Sequence, residues 1–398
     1  MEKLNIAAVA TLKTKKDQSI RRYHPWVFSG AVKSWEGEPI DGDVVEVRSN
    51  KGGLLGYGYF QDQSTICIRM ITFGDNTPST SFWTDSLEKA WRRREKLGLV
   101  ENNETNMYRL VFAEGDGLPG LIIDMYDGHA VMQAYSIATY HIKDIVVEFL
   151  KNKLGSKLKS VYVKMPEHIK TLHGVDEELV YGNEISECIA KENGTKYHIN
   201  WETGQKTGFF IDQRDNRKWL GSISKGKKVL NTFCYTGGFS IEALKGGAAE
   251  VHSLDSSETA LQELERNLAL NGLENANHKT IKADAVDYIK SMETDYDIIV
   301  LDPPAFAKSI SSRHKAIQGY KRLNARAIEH IKPGGLILTF SCSQVVDKFL
   351  FNSTVLAAAI PTGREIKVLG QLHQPADHPY SIYHPEGEYL KGLVIQVD

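Results

Sequence analysis

Five places in this chain carry residue types that do chemistry, and each closes a run that reads as a β-strand. The most unusual is Asp302-Pro303-Pro304-Ala305-Phe306, after YDIIVLD. Two consecutive prolines fix φ and remove two N–H donors, so this backbone continues neither as strand nor as helix. A loop that stiff can present Asp302 and Phe306 outward. A carboxyl group hydrogen-bonds the amidine-like edge of a nucleobase, and an aromatic ring stacks on the base. A purely structural turn is the competing reading. After GLILTF comes Phe340-Ser341-Cys342-Ser343. Cysteine is most often a small core hydrophobe, but a thiolate at a strand end is a soft nucleophile.

The other three places suit a nucleoside. In Asn231-Thr232-Phe233-Cys234-Tyr235-Thr236-Gly237-Gly238-Phe239 the glycines let a ligand approach the backbone closely. This is neither G-x-G-x-x-G nor a Walker loop, which counts against dinucleotide and nucleoside-triphosphate sites. Asp255, after the next strand, suits ribose hydroxyls. Asp284, one strand later, suits an adenine amino group. Both acids compete with a helix-capping role, which Ser256 and Ser257 could share beside Asp255. Cys234 lies inside the glycine turn and is the weaker nucleophile candidate, while Cys67 and Cys188 read as core.

From about residue 205 the chain alternates KVLNTF, FSIEALKGG, EVHSLD, SETALQELERNLALNG, HKTIKAD, AVDYIKSM, YDIIVLD, a helix over 315–331 and GLILTFSCS. Strand alternating with helix predicts a parallel, doubly wound α/β sheet. Right-handed crossovers then place ligands at the carboxyl ends of the strands. Upstream, VVEVRS, GGLLGYGYF and STICIRM predict short strands of a small barrel, with a turn-rich boundary at FGDNTPSTS near residue 78. A helix over 82–98 ending at Gly98, three strands broken by Gly/Pro and Asp-Gly turns, the helix IKDIVVEFLKNKLG and the strand SVYVK follow. They predict a central α+β domain. A hairpin turning at Asn193-Gly194 opens the third domain. The expected division is 1–77, 78–180 and 181–398.

The net charge of −2 excludes a strongly basic whole-chain nucleic-acid binder, though not a local basic face. Lys3, Lys13, Lys15, Lys16, Arg21, Arg22 and Lys33 face only Glu2 and Asp17 within residues 1–35. Lys308, Arg313, Lys315, Lys321, Arg322 and Arg326 face only Glu329 within residues 308–329. Such runs are most often solvated faces, but two of them suggest one continuous face for a phosphate-bearing partner. The four cysteines form no CxxC pair, so no zinc knuckle, metal site or disulfide framework is expected. No apolar run is long enough to span a membrane and no secretory signal is read, so a cytoplasmic location is expected.

In order, VLNTFCYTGGFSIEAL, the acid of SLDSS, the acid of KADAVDYI, DIIVLDPPAF and LTFSCSQ resemble the motifs of class I S-adenosylmethionine (SAM) methyltransferases. TGFFIDQRDNRKWL resembles the segment that precedes that fold and helps hold the cofactor. More narrowly, the chain is similar to the ribosomal RNA large-subunit methyltransferase I family. HPWVFSGAV, DGDVVEV and LLGYGYFQDQSTICIRM resemble its PUA segment, and DHPYSIYHPEGEYLKGL its C-terminal hairpin. The resemblance covers nearly the whole chain. It implies an N-terminal PUA-like small β-barrel, a central small α+β domain and a C-terminal Rossmann-like class I methyltransferase domain.

That family makes 5-methylcytidine in 23S ribosomal RNA. The resemblance implies a single catalytic cysteine, Cys342. Ala305 follows Pro304, where the other RNA 5-methylcytosine group carries a second cysteine. Cys342 and Asp302 are then the expected catalytic residues. SAM is expected across Phe233, Tyr235, Thr236, Gly237, Gly238, Asp255 and Asp284, with Phe209, Gln213 and Asp302 also in reach. Pro303, Pro304, Phe306, Arg21, Arg22 and Lys321 are expected on the RNA. The competing readings are an exocyclic-amine RNA methyltransferase that uses the DPPAF loop without a cysteine, and a non-catalytic RNA-binding assembly factor. The oligomeric state is not legible, and a homodimer is admitted.

Overall fold

The computed structural model describes residues 3–183, 185–292, 295–307 and 309–398; Glu2 and Lys308, counted above, lie outside them. The chain divides into two compact units. The first is Met1–Lys191, Ile199–Phe209 and Ala376–Gly387; the second is Glu192–His198, Phe210–Pro375 and Glu388–Asp398.

The first unit holds two sheets. One has six strands in the spatial order Trp26–Phe28, Ile66–Phe73, Leu54–Phe60, Val44–Arg48, Ala8–Leu12 and Val32–Glu36, around a core that includes Leu12, Val45, Val47, Ile68 and Met70. The glycines of GYGYF lie inside a strand, whose pairing with Ile66–Phe73 shifts register at Tyr57/Gly58. A Cβ on Gly56 would stand 2.2 Å from the Thr72 carbonyl oxygen, so only glycine lets the neighbouring strand pass this closely. The other sheet runs Glu178–Gly182, Ser160–Lys164, His129–Ala134, Leu121–Tyr126 and Met107–Phe112, and buries a core shared with helices Phe82–Lys96 and Lys143–Leu154. Its Asp127-Gly128 turn takes left-handed φ at both positions, as Asp-Gly predicts.

The second unit is a seven-stranded sheet: β1 (Lys228–Thr232), β2 (Glu250–Asp255), β3 (His278–Lys282), β4 (Ile298–Leu301), β5 (Gly335–Ser341), β6 (Ile366–His373) and β7 (Lys391–Val397). The spatial order is β3-β2-β1-β4-β5-β7-β6. Strands β1 to β5 pair in parallel through crossover helices. One departure from a wholly parallel sheet is β7, antiparallel to both β5 and β6, because β6 returns to it without a crossover helix. Helices Arg214–Ile223 and Lys348–Ala359 also lie outside the sequence reading. The second is apolar on nearly every face, with Phe349 and Leu356 exposed, so it carries little helical periodicity. Strand order reverses between β1 and β4, and a doubly wound sheet takes its ligands in the crevice at that point.

Candidate active site

The turn after β1 is strained in one short stretch. Phe233, Tyr235 and Gly237 have φ of 54°, 47° and 84°. Left-handed backbone at non-glycine residues is costly and persists where its surroundings hold it. Those surroundings are visible. The Cys234 N–H donates to the Leu254 carbonyl at 3.0 Å, and the Gly237 N–H to the Cys234 carbonyl at 2.8 Å. A Cβ on Gly237 would stand 1.9 Å from Leu264 Cδ1, and one on Gly238 would stand 2.8 Å from Arg217 Cδ. Arg217 is itself fixed, with its buried guanidinium bonded to both oxygens of buried Glu192 at 2.7 and 2.6 Å. The Thr236 hydroxyl oxygen is buried in this turn with no hydrogen-bond partner among the described residues. Buried polar atoms normally have one, so the turn offers an open polar position.

Asp255 ends β2 and braces the same turn. Its Oδ2 accepts the Tyr235 N–H at 2.9 Å and its Oδ1 the Ser257 N–H at 2.9 Å. The helix cap is Ser257, whose side chain accepts the Ala260 N–H, so capping does not account for Asp255. Asp284 does cap: its Oδ1 accepts the Asp287 N–H at 3.0 Å, and the residue is exposed. Asp255→Ala should therefore weaken SAM binding by about 1–3 kcal/mol through lost hydrogen bonds. Calorimetry checks this, and an unchanged affinity would remove Asp255 from the site.

Asp302 follows β4 and is half-buried. Gln213, buried in a short 3₁₀ turn ahead of helix Arg214–Ile223, donates Nε2 to Asp302 Oδ2 at 2.9 Å. The Gln213 Oε1 accepts from Asn216 Nδ2 at 2.6 Å, and the same Asn216 amide group lies 3.2 Å from the His373 carbonyl oxygen. The carboxyl group is thus aimed by a relay anchored on one helix and one strand end. The Phe210 ring meets Tyr235 edge-on at 5.1 Å. Phe209 belongs to the first unit and is buried there.

The proline loop and the cysteine turn are tied together. Pro303 is buried and Pro304 exposed. The Phe306 ring lies 4.6 Å from the Tyr320 ring and packs over Gly319, where a Cβ would come within 2.9 Å of it, so part of this ring is already engaged. The Ala307 N–H donates to Ser343 Oγ at 3.4 Å, and the Tyr320 hydroxyl lies 3.1 Å from the same oxygen. Cys342 is half-buried between buried Ser341 and Ser343.

Lys391, the first residue of β7, is buried, sits opposite Ser341 in the sheet, and donates Nζ to the Ser343 carbonyl at 2.7 Å. Burial lowers its ammonium to about 8, opposed first by the charge of Cys342. By contrast, burial pushes the thiols of Cys67, Cys188 and Cys234 up, away from the reactive thiolate. Asn216, Tyr320 and Lys391 were not singled out from sequence. The signal for the last is a lone lysine opening the apolar run KGLVIQV.

The expected RNA contacts fall in different units. Arg21 and Arg22 are exposed in the first unit, with Arg21 Nε 2.8 Å from Asp17. Lys321 is half-buried on helix Arg313–His330 of the second. One His/Glu cluster, His24, His384 and Glu386, has ligand-type atoms close together. The Trp26 N–H donates to His24 Nδ1 at 3.2 Å, which puts the His24 proton on Nε2, the atom facing Glu386. No helix among the described residues is long and apolar enough to cross a membrane.

Comparison with known proteins gives a consistent result. Residues 173–381 match the family of S-adenosylmethionine-dependent methyltransferases, and residues 10–73 match a PUA-like domain. A ribosomal RNA large subunit methyltransferase I from Aeromonas hydrophila subsp. hydrophila is 38% identical over 389 residues, covering 96% of this chain and 97% of that protein. Its namesake from Alteromonas mediterranea is 37% identical over 400 residues, covering 98% and 99%. Among solved structures, a Streptococcus mutans protein, provisionally described as a SAM-dependent methyltransferase, superposes with a TM-score of 0.84 at 24% identity over 98% of this chain and 100% of that one. A methyltransferase, likewise provisional and complexed with SAH, superposes with a TM-score of 0.83 at 24% identity over the whole of both chains.

Proposed function

This chain belongs to the SAM-dependent ribosomal RNA large subunit methyltransferase I family, and we propose that it methylates C5 of a cytosine in 23S ribosomal RNA through a covalent bond from Cys342. The observation that carries the reading is the junction of two strand ends: the loop that runs on from Asp302 after β4 is tied to the Cys342 turn after β5, because the Ala307 N–H and the Tyr320 hydroxyl both bond Ser343 Oγ, next to Cys342. The first unit, with its PUA-like sheet, would supply part of the RNA grip through phosphate contacts at Arg21 and Arg22, and the second unit would add Lys321.

The cofactor supplies an electrophilic methyl group on a sulfonium. The strained turn, the open Thr236 hydroxyl and the braced Asp255 suit its nucleoside and amino-acid parts. Phe233, Tyr235, Thr236, Gly237, Gly238, Asp255 and Asp284 would hold it, with Gln213. The chain's own work concerns the base. Cytosine C5 is a weak nucleophile. Addition of the Cys342 thiolate to C6 makes C5 enamine-like, which splits one hard step into two. Asp302, held by Gln213, would in its protonated form donate to N3 and accept from the N4 amino group, stabilising the negative charge that develops as C6 is attacked. After methylation a base, water or Asp302, takes the C5 proton; the electrons of that C–H bond restore the C5–C6 double bond as the Sγ–C6 bond breaks and the thiolate leaves. The target base must leave its stack unless the RNA is already single-stranded there.

An exocyclic-amine reading would use the same loop but needs no cysteine, so activity in Cys342→Ala separates the two. Bisulfite sequencing of 23S ribosomal RNA from a strain lacking the gene, with mass spectrometry of its nucleosides, tests the proposal. One 5-methylcytidine should vanish and return with the intact gene. Loss of N4-methylcytidine or a methylated purine instead would overturn it.

A further inference from the structure

We propose that Lys391 activates Cys342, fixing the Ser341–Ser343 turn through the Ser343 carbonyl and holding the thiol proton on Nζ beside the thiolate. The inference rests on the cysteine reading above and supplies the activating group which that reading leaves unnamed.

Lys391 opens β7 in register with Ser341 of β5 on one side and His373 of β6 on the other. Its side chain leaves only 4% of the residue exposed. Its hydrogen bond runs from Nζ to the Ser343 carbonyl. An ammonium has three donors, and burying one against a single carbonyl is costly unless an anion stands by. Among the described residues no carboxylate lies within ion-pair distance of Nζ.

The acidic groups that face it come from three elements: Cys342 from the turn after β5, Asp347 from the start of helix Lys348–Ala359, and Glu388 from the segment ahead of β7. Cys342 acts most strongly. Asp347 is already engaged, since its Oδ1 accepts the Leu350 N–H at 2.8 Å. The neighbouring Tyr320 hydroxyl is kept neutral by burial, and His373 Nδ1 faces the Gln374 carbonyl. With Nζ bonded to the carbonyl of the residue after Cys342, the sulfur is the acidic group whose charge acts most on this cation. Burial brings the ammonium to about 8, close to the value of about 8.5 for an ordinary thiol, so a proton passes between the two at little cost. The step balances. The Sγ–H bond breaks and an Nζ–H bond forms, converting a thiol and an amine into a thiolate and an ammonium. The sulfur lone pair is then free to attack. When the Sγ–C6 bond later breaks, the thiolate returns beside the same cation.

The alkylation readout needs neither RNA nor methyl transfer, so it fails independently of the C5 reading. The full-length protein is alkylated with iodoacetamide across a pH series, and the Cys342 peptide is followed by mass spectrometry. Wild type should inflect about one pH unit or more below an ordinary thiol. Lys391→Met should shift the inflection upward and slow alkylation at pH 7 about tenfold, one pH unit being a factor of ten in thiolate. Lys391→Arg should keep part of the low inflection, because its charge still stabilises the thiolate although a guanidinium takes up no proton. SAM affinity by calorimetry checks that each variant is folded. A wild-type inflection at or above that of an ordinary thiol overturns the proposal whatever the variants do. So does a folded Lys391→Met protein that titrates as wild type.

Discussion

Cys342→Ala will abolish RNA methylation, on the order of 10⁴-fold or more in single-turnover rate, while SAM binds as before. The size follows from removing a covalent nucleophile rather than a binding contact. No other thiol can substitute. Cys234 is buried in the glycine turn with its thiol pushed far up, and Cys67 and Cys188 are raised by burial in the first unit. Cys234→Ala should therefore keep methylating, with at most a modest loss of cofactor affinity because that turn is strained. Comparable losses in both variants would mean that Cys342 acts only through packing.

Asp302→Ala will lose about 10²–10³-fold in turnover, the scale of removing one preorganised group that stabilises developing charge. Its carboxyl group is aimed by Gln213 and Asn216 before any base arrives, so little reorganisation remains to be done. SAM affinity should fall by less than about 1 kcal/mol, the worth of one ordinary hydrogen bond. Parallel measurement of single-turnover rate and SAM dissociation constant separates the two roles. A large loss of affinity with an intact rate would place Asp302 on the cofactor rather than on the base.

Much of the second unit was legible because its signals are local. EVHSLD is β2 residue for residue, and alternating strand and helix fixes which loops lie at which sheet edge. The strand-end rule picked out Asp255, Asp302 and Cys342 from the same logic. What was not legible depends on contacts distant in sequence. Gln213 and Asp302 are 89 residues apart, and Lys391 and Ser343 are 48 apart. Whether Asp255 caps the next helix needs coordinates, which give that role to Ser257. The reversal of β7 is a property of how the chain returns from β6, not of its apolar run. Phe306 read as a free stacking ring, but Gly319 and Tyr320, on a helix further along, take up part of it.

The central claim is a bond between Cys342 and C6 of a cytosine, and one experiment looks for that bond directly. RNA carrying 5-fluorocytidine at the target position has no C5 proton to lose, so once methylated the adduct cannot eliminate. Wild-type protein with SAM should give a protein–RNA band that survives denaturation. Cys234→Ala should give it too, and Cys342→Ala should give none. A band that persists in Cys342→Ala, or its absence from wild type while ordinary cytidine RNA is still methylated, would contradict the cysteine mechanism.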